Sequence, residues 1–228
     1  MVAGWLPKNI DYYYVEDNIA IINGNCLEVI KELPDNYIDC IIADPPYGLN
    51  YLSNYYKYGN PHLKIENDDK LFIPVTDLWQ KLKSTGVMYV FYSHKLPLVS
   101  NKVKNVIIWV KNNWSAGDLS GDFGNQYECL AFMPKDEFKL KSKRYSNVWF
   151  FDREIPKYHP TQKPVSIINR IIESSTDKNN IILDPFLGSG TTARACKDLG
   201  RKCIGIEISE EYVKIAIKRL GQEVFNFD

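Results

Sequence analysis

"ILDPFLGSGTTARAC", residues 182–196, reads as the end of an apolar strand, a glycine-rich turn and the first turns of a helix. Gly188 and Gly190 let the backbone run close to a ligand. Glu207 lies in the next apolar run, "KCIGIEI" (202–208), one helical stretch beyond Gly190. A carboxylate there can accept hydrogen bonds from both hydroxyls of a ribose, so the pattern points to a nucleoside-containing ligand. A P-loop is disfavoured, because no Gly-Lys-Ser/Thr follows the glycines. The spacing Gly188-x-Gly190-x-x-Ala193 also meets the loose dinucleotide fingerprint, and a tight structural turn followed by a surface acid would look the same. Chain order separates these readings. The stretch from Glu207 to Asp228 is too short for a domain that opens on its glycine turn and still needs further strands. The missing strands must come from the N-terminal half, which predicts a permuted, doubly wound sheet.

The rest of the chain agrees with that architecture. Short β-branched runs recur at "IAIING" (19–24), "IDCIIAD" (38–44), "VMYVFYS" (87–93), "NVIIWVK" (105–111), "YECLAFM" (127–133) and "NIILDPF" (180–186). Helical patterns fall between several of them: "EVIKEL" stopped by Pro34, a stretch around 73–83, "KPVSIINRIIESS" (163–175), "TTARACKDLG" (191–200) and a last one near 209–220. Strands that alternate with helices, several of them wholly apolar, predict a mostly parallel α/β sheet with helices on both faces. One domain is expected over 1–228. Two irregular segments stand out: a Tyr-, Asn- and Lys-rich loop at 49–69, and a basic, aromatic stretch at 134–160. Long loops in compact domains tend to carry function.

Bulk composition sets limits. With 45% hydrophobic and 25% charged residues, the 228-residue chain has enough apolar material for a sizeable core. No run of apolar residues is long enough for a membrane helix, and the first residues lack the pattern of a secretory signal. Five cysteines without C-x-x-C spacing argue for reduced thiols in a cytoplasmic protein rather than a disulfide framework or a zinc site, and no metal is expected. The formal net charge is zero, but charge is unevenly spread: residues 1–50 hold 2 Lys/Arg against 8 Asp/Glu, and residues 95–163 hold 12 against 7. A basic middle segment can face phosphates, although a solvated surface loop has the same composition.

The stretch "ADPPYGLN" (43–50) completes the pattern. It leaves a buried strand with a carboxylate and two prolines, which stiffen the backbone at the edge where ligands of such sheets gather. Four pieces in order, "NGNCLEVIKELPDNYIDCIIADPPYGLNY", "HPTQKPVSIINRII", "ILDPFLGSGTTARAC" and "CIGIEIS", resemble the amino-methyltransferases that use S-adenosylmethionine, in their permuted beta arrangement. The nearest likeness is to the DNA adenine-N6 and cytosine-N4 enzymes. The resemblance implies a Rossmann-like class I methyltransferase fold, a seven-stranded sheet with one antiparallel strand near an edge. It implies S-adenosylmethionine as cofactor and double-stranded DNA as partner, with a homodimer and a cognate restriction endonuclease as further candidates.

Carried over by motif, Asp44, Pro45, Pro46 and Tyr47 form the catalytic loop. Asp184, Pro185, Phe186, Gly188, Ser189, Gly190 and Thr191 surround the methionine part of the cofactor, and Glu207 holds its ribose. Thr161, Lys163 and Pro164 close the methionine pocket. Gly24-Asn25 stands where relatives usually carry Gly-Asp against the adenine, with Cys26 next to it as a further cofactor-binding candidate; Asn25 keeps an acceptor and a donor without the charge. The chemistry fits these residue types. An exocyclic amino nitrogen is a poor nucleophile, and acceptors such as the Asp44 carboxylate and Pro45 carbonyl favour a more reactive, pyramidal nitrogen. Tyr47 would stack on a base taken out of the duplex. Lys139, Lys141, Lys143 and Arg144 are candidates for phosphate contacts, and Tyr145, Trp149 and Phe150 for packing, wedging or stacking. Asp before Pro-Pro leans toward adenine within the family. An RNA or protein amide substrate, an NAD-linked oxidoreductase and a catalytically silent DNA-binding protein are the rival readings.

Overall fold

The computed structural model describes residues 4–46, 73–94, 98, 100–114, 121, 123–153 and 162–221. The loop at 49–69, Tyr47, Thr161 and residues 154–160 of the basic stretch lie outside the described residues. Nine strands form one sheet: β1 (Tyr14–Glu16), β2 (Ile19–Asn23), β3 (Ile38–Ala43), β4 (Leu82–Tyr92), β5 (Asn105–Val110), β6 (Tyr127–Pro134), β7 (Val148–Phe150), β8 (Ile181–Asp184) and β9 (Lys202–Glu207). Their order is β1-β2-β9-β8-β3-β4-β6-β5-β7. The five strands from β2 to β4 run parallel, and β6 runs antiparallel between β4 and β5.

The sheet is therefore doubly wound and permuted, as expected, with nine strands rather than seven. Seven of them make the expected sheet. The other two, β1 and β7, are three-residue edge strands held by pairing with β2 and β5. Neither is long enough to show a period of its own.

Alternation along each strand feeds two cores. Ile19, Ile21, Cys40, Ile42, Val87, Tyr89 and Phe91 face one side. There they meet α3 (Val165–Ser175), α4 (Thr191–Leu199) and α5 (Glu210–Leu220) through residues such as Ile167, Ile171, Ala193 and Val213. Ala20, Ile22, Ile41, Ala43, Met88 and Val90 face the other side, against α1 (Cys26–Glu32), α2 (Val75–Lys81) and the N-terminal Leu6 and Ile10. Strands buried on both faces explain the continuous apolar runs in the sequence. The expected helix near 73–83 ends at Lys81, and β4 begins at once with Leu82. Among the described residues no helix is long and apolar enough to cross a membrane. All five cysteines are free, four of them buried.

Chain direction diverges between β8 and β3. From β8 the chain crosses through α4 to β9 on one side, and from β3 it passes through α2 to β4 on the other. Such a switch point opens a crevice at the carboxyl ends of the two strands. The glycine turn sits there. Gly190 is the N-cap of α4 at φ 83°, and a Cβ on it would come within 2.8 Å of the Ala216 Cβ on α5. Gly200, the C-cap of α4, shares the left-handed conformation at φ 69° but has nothing within 4 Å of where a Cβ would stand. Gly200→Ala should thus lower the unfolding free energy by about 1–2 kcal/mol through backbone strain. Gly190→Ala should cost about 1–3 kcal/mol more, because α4 must also move away from α5. Urea unfolding of the two variants measures the difference, and equal losses would show that the Ala216 contact carries no weight.

Candidate active site

The carboxyl edge of the sheet collects residues from distant parts of the chain. Asp44 and the buried Pro45 follow β3, and Asp184 ends β8. The register of β3 on β8, Cys40 against Ile182 and Ile41 against Leu183, sets these two acids side by side. Glu207 ends β9, and Asn25 and Cys26 follow β2. Asn23 pairs with Glu207, and the Gly24 N–H donates to the Glu207 carbonyl at 3.0 Å. Sequence positions 25, 44, 184 and 207 thus meet along one edge in the strand order β2-β9-β8-β3.

Local hydrogen bonds fix each acid. The Asp184 carboxylate accepts the Phe186 N–H at 3.0 Å, closing the turn over Pro185. The Glu207 carboxylate accepts the Gly188 N–H at 2.7 Å and the Ser209 N–H at 2.9 Å, which ties the ribose candidate to the glycine turn. Ser189 and Thr191 are buried beneath that turn. Asn25 caps α1, its side-chain oxygen accepting the Leu27 N–H at 3.0 Å. The acceptor that the sequence reading assigned to an adenine thus also caps the helix with one of its two lone pairs.

Electrostatics mark the site as acidic and dry. Burial pushes the Asp184 carboxyl up to about 7, and the nearby Asp44 and Glu207 carboxylates add to the rise against hydrogen bonds from Thr192 and Phe186. Burial raises the Cys26 thiol to about 11, with Glu207 contributing, so the thiol stays protonated at neutral pH.

Lys163 reaches across from the residue before Pro164, the N-cap of α3. Its ammonium donates to Asp44 Oδ2 at 2.6 Å and lies 3.3 Å from Glu128 Oε2. It also stands 5.0 Å from the centre of the Phe91 ring. Burial would lower the Lys163 ammonium, but the Asp44 and Glu128 carboxylates outweigh it and raise it. The motif that the sequence reading assigned to the methionine pocket thus holds Asp44 of the candidate loop directly. Tyr47 and Thr161 lie outside the described residues, as does the loop at 49–69.

The described part of the basic stretch divides in two. Lys141 pairs with Asp177 at 2.7 Å, and its backbone N–H bonds to the Ser174 carbonyl at the far end of α3 from Lys163. Tyr145, Trp149 and Phe151 surround the Arg170 guanidinium of α3 at 4.7, 5.6 and 4.6 Å from their ring centres. Of the three roles open to Trp149 it packs: the ring is buried, and its N–H donates to the Ser146 carbonyl at 2.8 Å. Phe150, by contrast, is 73% exposed, as are Trp114 at 68% and Phe123 at 94%. Phe150 ends β7 and Tyr127 opens the antiparallel β6, which places both at the edge that carries Asp44.

Sequence reasoning missed two groups. Glu128 in β6 joins the Lys163 site, and its signal was a charge inside the otherwise apolar "YECLAFM". Arg219 is buried under the glycine turn and donates to Thr191 Oγ1 at 2.9 Å. Its signal was a cation on the buried stripe Tyr212, Val213, Ala216, Leu220 of α5.

Known proteins share this arrangement. The chain is 32% identical to the DNA adenine methyltransferase YhdJ of Escherichia coli, covering 88% of this chain and 82% of that one. It is 31% identical to the type II methyltransferase M.HinfI of Haemophilus influenzae, over 89% of this chain and 68% of the relative. Among solved structures, the M1.HpyAVI–SAM complex superposes with a TM-score of 0.68 at 31% identity, covering 89% of this chain and all of that one. The cytosine-N4-specific PvuII DNA methyltransferase superposes at 0.72 over 95% of this chain and 90% of its own, and at 18% identity it speaks for the fold alone. Residues 38–218, which span β3 to α5 and most of the edge just described, match the N6/N4 methyltransferase family described as DNA methylase, and the chain belongs to that family.

Proposed function

We propose that this DNA methylase transfers a methyl group from S-adenosylmethionine to the exocyclic N6 of adenine in double-stranded DNA, with the target base turned out of the helix. The observation that carries the proposal is the Asp44-Pro45-Pro46 turn at the switch point, next to Asp184 and the glycine turn. Preference for adenine is supported by Asp rather than Ser before Pro-Pro and by the adenine enzyme among the relatives.

The residues present fit a cationic cofactor. Asp44, Asp184 and Glu207 bring three carboxyls to one edge, and Asp184 is held partly protonated by burial and by the other two carboxylates, an effect that positive charge would offset. A bound sulfonium and ammonium supply that charge, and Asp184 to Thr191 and Glu207 are the residues to hold them and the ribose. Bound S-adenosylmethionine contributes an electrophilic methyl carbon. The protein does the rest by placement. The Asp44 carboxylate and the Pro45 carbonyl accept the N–H groups of the amine where positive charge develops. Proline stiffness at 45 and 46 keeps both acceptors aimed. With the cofactor bound, the amino nitrogen would gain the methyl carbon as the S–C bond broke to leave a thioether, and the methylated nitrogen would then lose its extra proton to solvent, so Asp44 need not be a strong base. Exposed Trp114, Phe123, Tyr127 and Phe150 offer flat surfaces for unstacked bases, and exposed Lys139 and Arg144 offer positive charge to phosphates.

Purified protein incubated with labelled S-adenosylmethionine and unmodified DNA should yield N6-methyladenine on nucleoside mass spectrometry. N4-methylcytosine instead would overturn the base assignment, and label in RNA alone would overturn the substrate. Asp44→Ala should lower the turnover number by about a hundredfold to a thousandfold while cofactor affinity stays within a few-fold. Wild-type turnover in that variant would remove Asp44 from the mechanism. A second expectation concerns pH. Asp184 titrates near 4 when unfolded and at about 7 when folded, so the folded state binds the extra proton between those values. Its contribution to stability is therefore complete below about pH 4 and is lost as pH rises through about 7. Urea midpoints of the cofactor-free protein should show this decline, and Asp184→Asn should flatten it.

A further inference from the structure

The Asp44–Lys163 pair does not stand alone. Beyond it lies Glu128, and beyond Glu128 lies Lys111, whose ammonium is 2.7 Å from Glu128 Oε1 and 5.2 Å from the Trp109 ring centre. The four groups alternate in sign: carboxylate, ammonium, carboxylate, ammonium. Their side chains are 26%, 7%, 20% and 15% exposed in that order, so little solvent screens them. The far end is rigid. Trp109 pairs with Glu128 across β5 and β6, the Lys111 N–H donates to the Gln126 carbonyl at 2.8 Å, and the Gln126 side chain donates back at 2.9 Å.

We propose that Glu128 is a positioning residue which, gripped by Lys111, holds the Lys163 ammonium against Asp44 Oδ2 and so sets both the aim and the charge of the acceptor carboxylate. The inference rests on reading Asp44 as the acceptor of the amine protons. Burial would raise the Glu128 carboxyl, yet Lys163 and Lys111 outweigh it and bring it down to about 2, so Glu128 stays ionised throughout the working range. Lys163 shares its three protons between two carboxylates on different strands. Without Glu128 the ammonium has one fewer anion to hold it in place, and the site carries an extra positive charge. Without Lys111 it carries an extra negative one. Among the described residues, the other titratable groups at this edge are Asp184 from β8, which acts on Asp44, Glu207 from β9, His94 stacked on Tyr127, and Asp152 and Arg153 after β7; all are unchanged in every variant.

The test uses Glu128→Gln, Lys111→Met and the double variant in the full chain. Asp44 titration is followed by carboxyl-carbon NMR on aspartate-labelled protein, assigned with Asp44→Asn. Loss of the negative neighbour should move the Asp44 midpoint down, and loss of the positive one should move it up, each by about half a pH unit or more. Removing both together takes away a neutral pair and should return the midpoint close to the wild-type value. In parallel, each single variant should lose about tenfold to a hundredfold in kcat on DNA, with the KM for S-adenosylmethionine within about threefold, and the double variant should recover the part of the loss that comes from charge while keeping the part that comes from the lost grip on Lys163. A residue that only stabilises the fold would give neither opposed shifts nor recovery. Midpoints that coincide in all variants, shifts of the same sign, or wild-type kcat in Glu128→Gln would overturn the proposal. The NMR arm needs no turnover. A wild-type protein that fails to methylate DNA would strike the functional reading, and the titrations would still decide the network.

Discussion

Two backbone registers between β3 and β8, Cys40 against Ile182 and Ile41 against Leu183, hold together the parts of this molecule that matter. They join strands from opposite halves of the chain and leave the acid of each at the same edge. A one-residue slip would turn Cys40 and Ile42 out of one core and into the other, and would swap every side chain on the strand between the two helical layers. Because both faces of β3 are packed, neither arrangement is cheap except the one observed. The Asp44-Pro45-Pro46 turn and the glycine turn are thus fixed relative to each other by hydrophobic patterning, with no bond between their own side chains required.

That placement has an electrostatic cost. Asp44, Asp184 and Glu207 crowd one side of the crevice, and burial there works against their charges, most visibly at Asp184. Two different devices offset it. Glu207 is satisfied by backbone N–H groups of the glycine turn and of the approach to α5. Asp44 is satisfied by an ammonium carried on another segment and backed by the further pair Glu128–Lys111. Buried charges in alternating order cost less than any one of them alone, and losing one partner costs more than never having had the pair. Asp184 receives only neutral donors, which leaves it as the group whose charge state a cationic ligand would change most.

Much of the site was legible in the sequence because its elements are long and repetitive. Continuous apolar runs gave the parallel strands, and proline and glycine punctuated the turns at 45–46 and 188–190. What escaped notice depends on pairing rather than pattern. Strands β1 and β7 have three residues each and exist because β2 and β5 offer them partners. Glu128 and Lys111 lie on either side of the connection from β5 to β6 and meet only because those strands are antiparallel. Asn25 reads as a ligand contact because of its place after the first long strand, and that its oxygen also caps α1 shows only in the structure. Packing was one of three roles open to Trp149 from the sequence, and Arg170 from α3, which its ring flanks together with Tyr145 and Phe151, selects it. Composition gave these residues a neighbourhood, and only the tertiary pairing gave them a direction.

Lys163 shows how far the local rules bend at this edge. It stands immediately ahead of the N-terminus of α3, where the helix dipole disfavours a cation, and the first turn of α3 has no acidic residue to compensate. Pro164 caps the helix without a side-chain hydrogen bond. An anionic or neutral side chain at 163 would suit α3 better. The ammonium is kept there by partners from other elements: the Asp44 carboxylate after β3, Glu128 on β6 and the ring of Phe91 on β4. A residue that opposes its own helix and is held by three strands serves the site rather than the fold. The same geometry links the start of α3 to Asp44 and Glu128, because one ammonium at this end of the helix pairs with both carboxylates.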